Sequence, residues 1–337
     1  MGGVIGLDVG GANTKAVWRD GVQRRIVSRP FEVWRDRDAL EAMLREVVAD
    51  VAPEPVDAVA LTTTAELSDA FRTKREGVGF VLDAAEAALG VRQLLALTTA
   101  GEVVSVAEAR ARPLDVAAAN WMASALAVAA RHSNALIIDV GSTTVDVIPI
   151  TAGRVAAVGR TDLDRLLAGE LVYTGALRTN LAAIAPRVPV RGCWCPVASE
   201  LFAISADVHL ILGHLTREAY TCATPDGRPA SVEHARERVA RLVCADAEQL
   251  AAEEIDAIAA FLHAEQGRQI EAAARRVSAR FDGAPPVVPL GAGAFLARVA
   301  AQRLRRAVVE LPGSAAERDA APAAALCELL GKRRHAP

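Results

Sequence analysis

The chain has 337 residues and a net charge of −3; 52% of its residues are hydrophobic and only 4% are aromatic. That length accommodates about two domains with aliphatic cores, and the charge gives no footing for nucleic acid or an anionic membrane. No apolar run reaches the roughly 18 residues that span a bilayer. The N-terminus reads as a strand rather than a leader, so the expectation is a cytoplasmic protein with no membrane partner. Five cysteines, an odd number, are expected as free thiols.

In chain order, residues 3–9 form a doubly apolar run, expected as a central strand, with 14–19 and 23–28 following as a meander. Residues 38–51 carry helical periodicity through Leu40, Met43, Leu44, Val47 and Val48, ended by Pro53 and Pro55. A buried strand at 56–61 runs into the polar segment Thr62-Thr63-Thr64-Ala65-Glu66-Leu67-Ser68-Asp69, then Lys74. Carboxyl ends of strands in open α/β sheets are where ligands gather, which makes Glu66, Asp69 and Lys74 candidate substrate residues. Helix at 79–89, strands at 93–97 and 102–106, and one Ala-rich helix over 115–131 complete the first half.

The second half opens by repeating the first. Asp8-Val-Gly10-Gly11-Ala-Asn13-Thr14-Lys15 and Asp139-Val-Gly141-Ser142-Thr143-Thr144-Val-Asp146 share Asp-x-Gly after an apolar run and a charged residue seven positions on. Both continue into a second apolar run and a turn, Asp20-Gly21 and Ala152-Gly153. Residues 160–230 fall outside this repeat and read as an insert bearing Asp162, Arg165, Glu170, Tyr173 and Arg178. Amphipathic helices over 231–281, a strand at 286–290, the turn Gly291-Ala-Gly293 and a helix at 319–331 follow. The domains are therefore expected at 1–130 and 131–318, with the last helix packing back on the first. Cys193-Trp-Cys195 has the wrong spacing for common zinc loops; with His209, His214 and Cys222 it makes a metal cluster only on paper.

The paired turns suit phosphate. Glycine lets a backbone approach an anion where a Cβ would clash, and successive amides in a turn form an anion-binding concavity. Gly10, Gly11, Gly141, Gly291 and Gly293 would supply that approach, and Asn13, Thr14, Ser142, Thr143 and Thr144 further donors. Asp8 and Asp139 are placed to hold hydrated Mg²⁺, an ion content with one or two carboxylates. Lys15 can neutralise charge on a departing phosphate, and Asp146 can orient a nucleophile or metal water.

Together the three loops resemble the actin-like sugar-kinase and chaperone superfamily. This implies an α/β, duplicated actin-like (ribonuclease H-like) fold of two domains with an interdomain cleft. Glu66-Leu-Ser-Asp69 with Thr73-Lys74, Ala119-Asn-Trp121, Thr161-Asp-Leu-Asp-Arg165 and Gly169-Glu-Leu-Val-Tyr-Thr-Gly175 narrow the likeness. In this order they resemble the methanofuran-biosynthesis branch, the tetrahydromethanopterin-linked one-carbon transfer pathway proteins, related to the hydantoinase A group. The resemblance implies a transferase that joins an aminomethyl-furanmethanol diphosphate to the phenol of glutamyl-tyramine, tyramine or tyrosine and releases diphosphate. Asp162, Glu170 or Glu66 would then accept the phenol proton or stabilise a furfuryl cation, with Tyr173 and Arg178 as donors to substrate. The partners implied are small molecules; a homo-oligomer is compatible. Two alternatives stay open: an ATP-dependent kinase or ATPase of the same fold, with Asp146 as base, and a non-catalytic nucleotide sensor. ATP is not expected as substrate of the transferase.

Overall fold

The computed structural model describes residues 2–21, 23–53, 55–90 and 93–334. β1 (Gly3–Val9) is buried along nearly its whole length and turns into β2 (Asn13–Arg19) and β3 (Arg24–Pro30), an antiparallel meander. α1 (Leu40–Val51) buries Leu40, Met43, Leu44, Val47 and Val51 on one face, as its 3.6-residue periodicity dictates. β4 (Val56–Thr63) lies parallel to β1, putting Thr62 beside Asp8. α2 (Lys74–Leu89), capped by the Thr73 hydroxyl, returns the chain to β5 (Gln93–Leu97) and β6 (Val103–Ser105). The sheet order is β3-β2-β1-β4-β5-β6.

The single helix predicted over 115–131 does not form. After α3 (Val106–Ala111) come α4 (Pro113–Val116) and α5 (Asn120–Ala129), separated by a break in which Ala118 takes φ +51°. The cause is tertiary: Ala117 bridges Thr63 at the end of β4, so the chain leaves helical geometry to pair with the sheet. That bridge outweighs the helix propensity of alanine and an uncommon alanine backbone conformation.

β7 (Ala135–Val140) and β8 (Val145–Thr151) repeat β1 and β2, and β9 (Arg154–Val155) repeats the third strand in shortened form. α6 (Asp162–Ala168) and β10 (Leu171–Val172) follow. The hairpin β11 (Arg187–Val190) and β12 (Cys193–Pro196) stands apart as its own two-stranded sheet. Helices α7 (Ser205–Ile211), α8 (Val232–Ala240) and α9 (Ala252–Ser278) precede β13 (Val287–Leu290), which lies parallel to β7 as β4 does to β1. α10 (Ala294–Arg303), α11 (Ala315–Asp319) and α12 (Ala321–Arg334) close the chain. Strand order in this sheet is β10-β8-β7-β13, with β9 also on β8.

The described residues within 1–135, 148–168 and 311–337 form one compact unit, and those within 136–147 and 169–310 another. Within the first unit α12 packs on β1 and α5. The stretch read as one insert over 160–230 is divided: α6 clusters with the first unit, Gly169 onward with the second. Much of its polarity points inward. Asp207, fully buried, accepts from Arg238 Nε (2.9 Å) and Nη2 (2.7 Å) and from the Tyr220 hydroxyl (3.0 Å). In the same unit, Leu181, Ile184, Val188, Val208, Leu242 and Leu262 belong to one aliphatic core. Among the described residues no helix is long and apolar enough to cross a membrane. The five cysteines are free thiols.

Candidate active site

In the first unit, the turn after β1 is closed by Gly10 N–H donating to Asn13 O at 2.9 Å. A Cβ on Gly10 would lie 2.6 Å from that oxygen, so the closure requires glycine. The carbonyls of Gly11 and Ala12 accept from Val33 and Phe31 amides, both at 3.0 Å. In a trans peptide the N–H opposes the C=O, so these planes turn the amides of Ala12 and Asn13 the other way. Asp8, opposite Lys15 in the ladder, has Oδ1 buried without a hydrogen-bond partner among the described residues. Burial raises its pKa to about 6 against the pull of Lys15, with Asp319 adding to the rise. Lys15 Nζ is held by Asp319, 2.9 Å from Oδ1 and 2.8 Å from the carbonyl oxygen. Thr14 is fully buried.

The same turn runs beside Thr64 and Ala65, since Thr64 N–H donates to Val9 O at 3.0 Å. One residue on is Glu66, only 2% exposed. Its Oε2 accepts from the Thr63 hydroxyl at 3.2 Å, while Oε1 is buried without a partner among the described residues. Burial raises the Glu66 pKa to about 7; its own backbone amide and Lys74 oppose the rise, and Asp162 adds to it. Lys74 Nζ pairs with Asp162 Oδ2 at 2.5 Å. Arg165 is buried with its guanidinium 4.0 Å from the Trp121 ring centre, a desolvated stack worth about 2 kcal/mol. Asp69 is exposed. The first unit thus holds Asp8, Gly10, Gly11, Asn13, Thr14 and Lys15 on one turn and its flanking strands, Glu66 just past the end of β4, and Lys74 at the start of α2 paired with Asp162 at the start of α6.

In the second unit the repeat is kept atom for atom at its closure: Gly141 N–H donates to Thr144 O at 2.9 Å. Its carbonyls are engaged by the residues that follow Gly175. Ala176 N–H bonds Gly141 O (2.9 Å), and Leu177 and Arg178 amides bond Ser142 O (3.0 and 2.9 Å). The Ser142 and Thr143 hydroxyls lie 3.3 Å apart. Gly291, at φ +78°, presses on the end of β7, where an added Cβ would meet Asp139 Oδ1 at 2.5 Å; Gly293 N–H bonds Val140 O at 2.9 Å. Asp146 stands opposite Leu171 on β10. Glu170, a candidate for the catalytic carboxylate, is fully buried and ion-paired with Arg280. Tyr173 is exposed and Arg178 half-buried.

Sequence reasoning missed Asp319 and Thr63 as partners of Lys15 and Glu66. Asp319 has no local signal, being in contact only through the fold. The paper cluster of Cys193, Cys195, His209, His214 and Cys222 does not assemble. Instead His209, His214 and His263 gather around Phe295 as stacked and edge-on rings, and among the described residues no group of three or more His, Cys, Asp or Glu is arranged to hold a metal. Burial lowers the His209 pKa to about 3 and the His263 pKa to about 4, so both rings are neutral.

Residues 57–331 match the Hydantoinase/oxoprolinase family. A protein of Methanocaldococcus jannaschii named (4-{4-[2-(gamma-L-glutamylamino)ethyl]phenoxymethyl}furan-2-yl)methanamine synthase is 40% identical over 253 residues, 75% of this chain and 74% of that protein. The Methanococcus vannielii protein of the same name is 41% identical over 121 residues, 36% of this chain and 54% of its own. Among solved structures, a nucleotide-free acetone carboxylase aligns with TM-score 0.57 at 11% identity, over 97% of this chain and 69% of that one. A ROK family glucokinase from Streptomyces griseus, in complex with glucose and AMPPNP, aligns with TM-score 0.51 at 14% identity, over 97% and 99%. At such identities the likeness is one of fold: the duplicated actin-like α/β architecture.

Proposed function

The chain belongs to the hydantoinase/oxoprolinase family, and from that premise we propose that it is a transferase of methanofuran-type cofactor biosynthesis. It joins an aminomethyl-furanmethanol diphosphate to a phenolic acceptor (glutamyl-tyramine, tyramine or tyrosine) and releases diphosphate. The observation that carries this reading is the 40% identity with the M. jannaschii synthase over three-quarters of both chains. The geometry supports it with parts that suit the chemistry.

The phenol oxygen forms a bond to the furfuryl carbon as the carbon–oxygen bond to diphosphate breaks, its electron pair leaving with diphosphate. Lone-pair donation from the furan oxygen stabilises the cationic carbon. The phenol proton passes to Glu66 Oε1, the buried oxygen without a partner among the described residues. A carboxylate with a pKa near 7 is a better base than an ordinary one for a phenol near 10. Asp162 is engaged with Lys74 and Glu170 with Arg280, which leaves Glu66 the base of choice. Each glycine turn, taken by itself, offers amides that suit phosphate oxygens. Lys15 exchanges Asp319 for the departing anion.

Mg²⁺ fits the donor set of the first unit: Oδ1 of Asp8 is buried without a hydrogen-bond partner among the described residues, and Asp8 would hold the ion. When bound, the ion would neutralise diphosphate charge.

The test is turnover with the furfuryl diphosphate and each acceptor in turn, product ether followed by mass spectrometry and diphosphate by a phosphate assay. Ether and diphosphate are expected in equal amounts without ATP. Consumption of ATP with no ether would favour the kinase or ATPase reading.

A further inference from the structure

The second glycine turn is held in shape by a buried clamp two layers deep. Gly175 sits so close to it that an added Cβ would fall 2.5 Å from the backbone of both Ser142 and Thr143. The three amides that follow Gly175 bind the carbonyls of Gly141 and Ser142. Those bonds fix the peptide planes whose other ends are the amides of Ser142 and Thr143.

What fixes Gly175 lies one layer further in. Its N–H donates to Thr179 Oγ1 at 2.7 Å, and its carbonyl accepts from Gln266 Nε2 at 2.8 Å. The same Gln266 nitrogen reaches Thr174 Oγ1 at 3.0 Å. Thr179 N–H in turn bonds Ser205 Oγ at 3.2 Å, tying the segment to the start of α7. Thr174 and Gln266 are each 1% exposed and Thr179 8%, so water cannot substitute for a lost partner.

We infer that Thr179 and Gln266 are positioning residues: they clamp Gly175, and through it hold the amides of the second glycine turn in the orientation that binds a phosphate group. This rests on the diphosphate reading above. Neither side chain touches the anion. Losing one lets Gly175 shift, and the turn it braces loses its preset donor geometry, which must then be recovered at the expense of binding.

The experiment is calorimetric titration of the full chain with inorganic diphosphate in Mg²⁺ buffer. Wild type, Thr179→Val, Thr179→Ser, Gln266→Met and Ile270→Ala are compared, with melting temperatures alongside. Ile270 lies one turn further along α9 in the same core and makes no bond to the clamp. Thr179→Val and Gln266→Met should weaken diphosphate binding on the order of tenfold. Thr179→Ser, which keeps the hydroxyl, should bind within about twofold of wild type. Ile270→Ala should melt lower yet bind like wild type. Equal binding by Thr179→Val, Gln266→Met and wild type would overturn the clamp, as would an equal loss in Ile270→Ala. Failure of wild type itself to bind diphosphate would instead remove the diphosphate reading. Should Gln266→Met not fold, the Thr179 pair carries the test alone.

Discussion

The two glycine turns share one closure and differ in almost everything around it. Each is closed by a glycine amide donating to the carbonyl three residues on, at 2.9 Å. Around the first turn stand ionisable groups: Asp8 with a raised pKa, Lys15 with its partner Asp319, and Glu66 nearby. Around the second stand packing glycines, Gly175 and Gly291, and a segment that binds its carbonyls. The duplication supplied one frame twice. The first copy is set among ionisable groups on neighbouring elements, and the second is braced by the segment that follows Gly175.

The largest effect should come from the charged side. Glu66→Gln should lower kcat by about a hundredfold or more if Glu66 is the base. In wild type, kcat/KM should rise with pH through about 7, where Glu66 loses its proton, and that limb should vanish in the variant. Stability runs the other way. A carboxyl whose folded pKa stands above its unfolded value favours the fold at low pH, and the gain is lost as pH rises through about 7. Glu66→Gln should therefore melt no lower than wild type at pH 8. Unchanged kcat would move the base elsewhere.

The closures should also differ in tolerance. A Cβ on Gly10 meets Asn13 O at 2.6 Å, whereas one on Gly141 stands 3.5 Å from Thr144 O. Gly10→Ala should cost about 1–3 kcal/mol of stability by overpacking, and Gly141→Ala well under that. Denaturant titration of both variants gives the ranking; equal losses would contradict it.

Acid should act on the second unit through its buried histidines. His209 and His263 have folded pKa values near 3 and 4, below the ordinary 6.5. Their contribution is present above pH 6.5 and is lost as pH falls toward 4, because the unfolded chain takes up protons that the fold refuses. The melting temperature should drop across that window, and less so in His209→Phe.

The smallest effect is expected at Asp319. Asp319→Asn removes the carboxylate from Lys15 and should tighten diphosphate binding a few-fold, in keeping with roughly 0.2–1 kcal/mol for a partly exposed pair. Weaker binding would mean that Asp319 supports the site rather than competing for Lys15.

Much of this was legible because the duplication is local: Asp-x-Gly between apolar runs prescribes strand, turn and strand without reference to anything distant. Glu66 was legible from its place at a strand end, yet its protonation behaviour came only from burial among residues far apart in sequence. Glu170 shows the limit. Its partner Arg280 comes 110 positions later, just past α9, and nothing local says that the carboxylate turns inward. The broken helix before Trp121 failed for the same reason, since alanine propensity cannot register a bridge to Thr63.

The central claim is that the phenol oxygen displaces diphosphate at carbon. Isotope tracing tests it most directly: a furfuryl diphosphate bearing ¹⁸O at the bridge between carbon and phosphorus, reacted with an unlabelled acceptor and read by mass spectrometry. The account predicts that all the label leaves with diphosphate and none enters the ether. Label retained in the ether would mean that the carbon–oxygen bond never broke, and would contradict the proposed reaction.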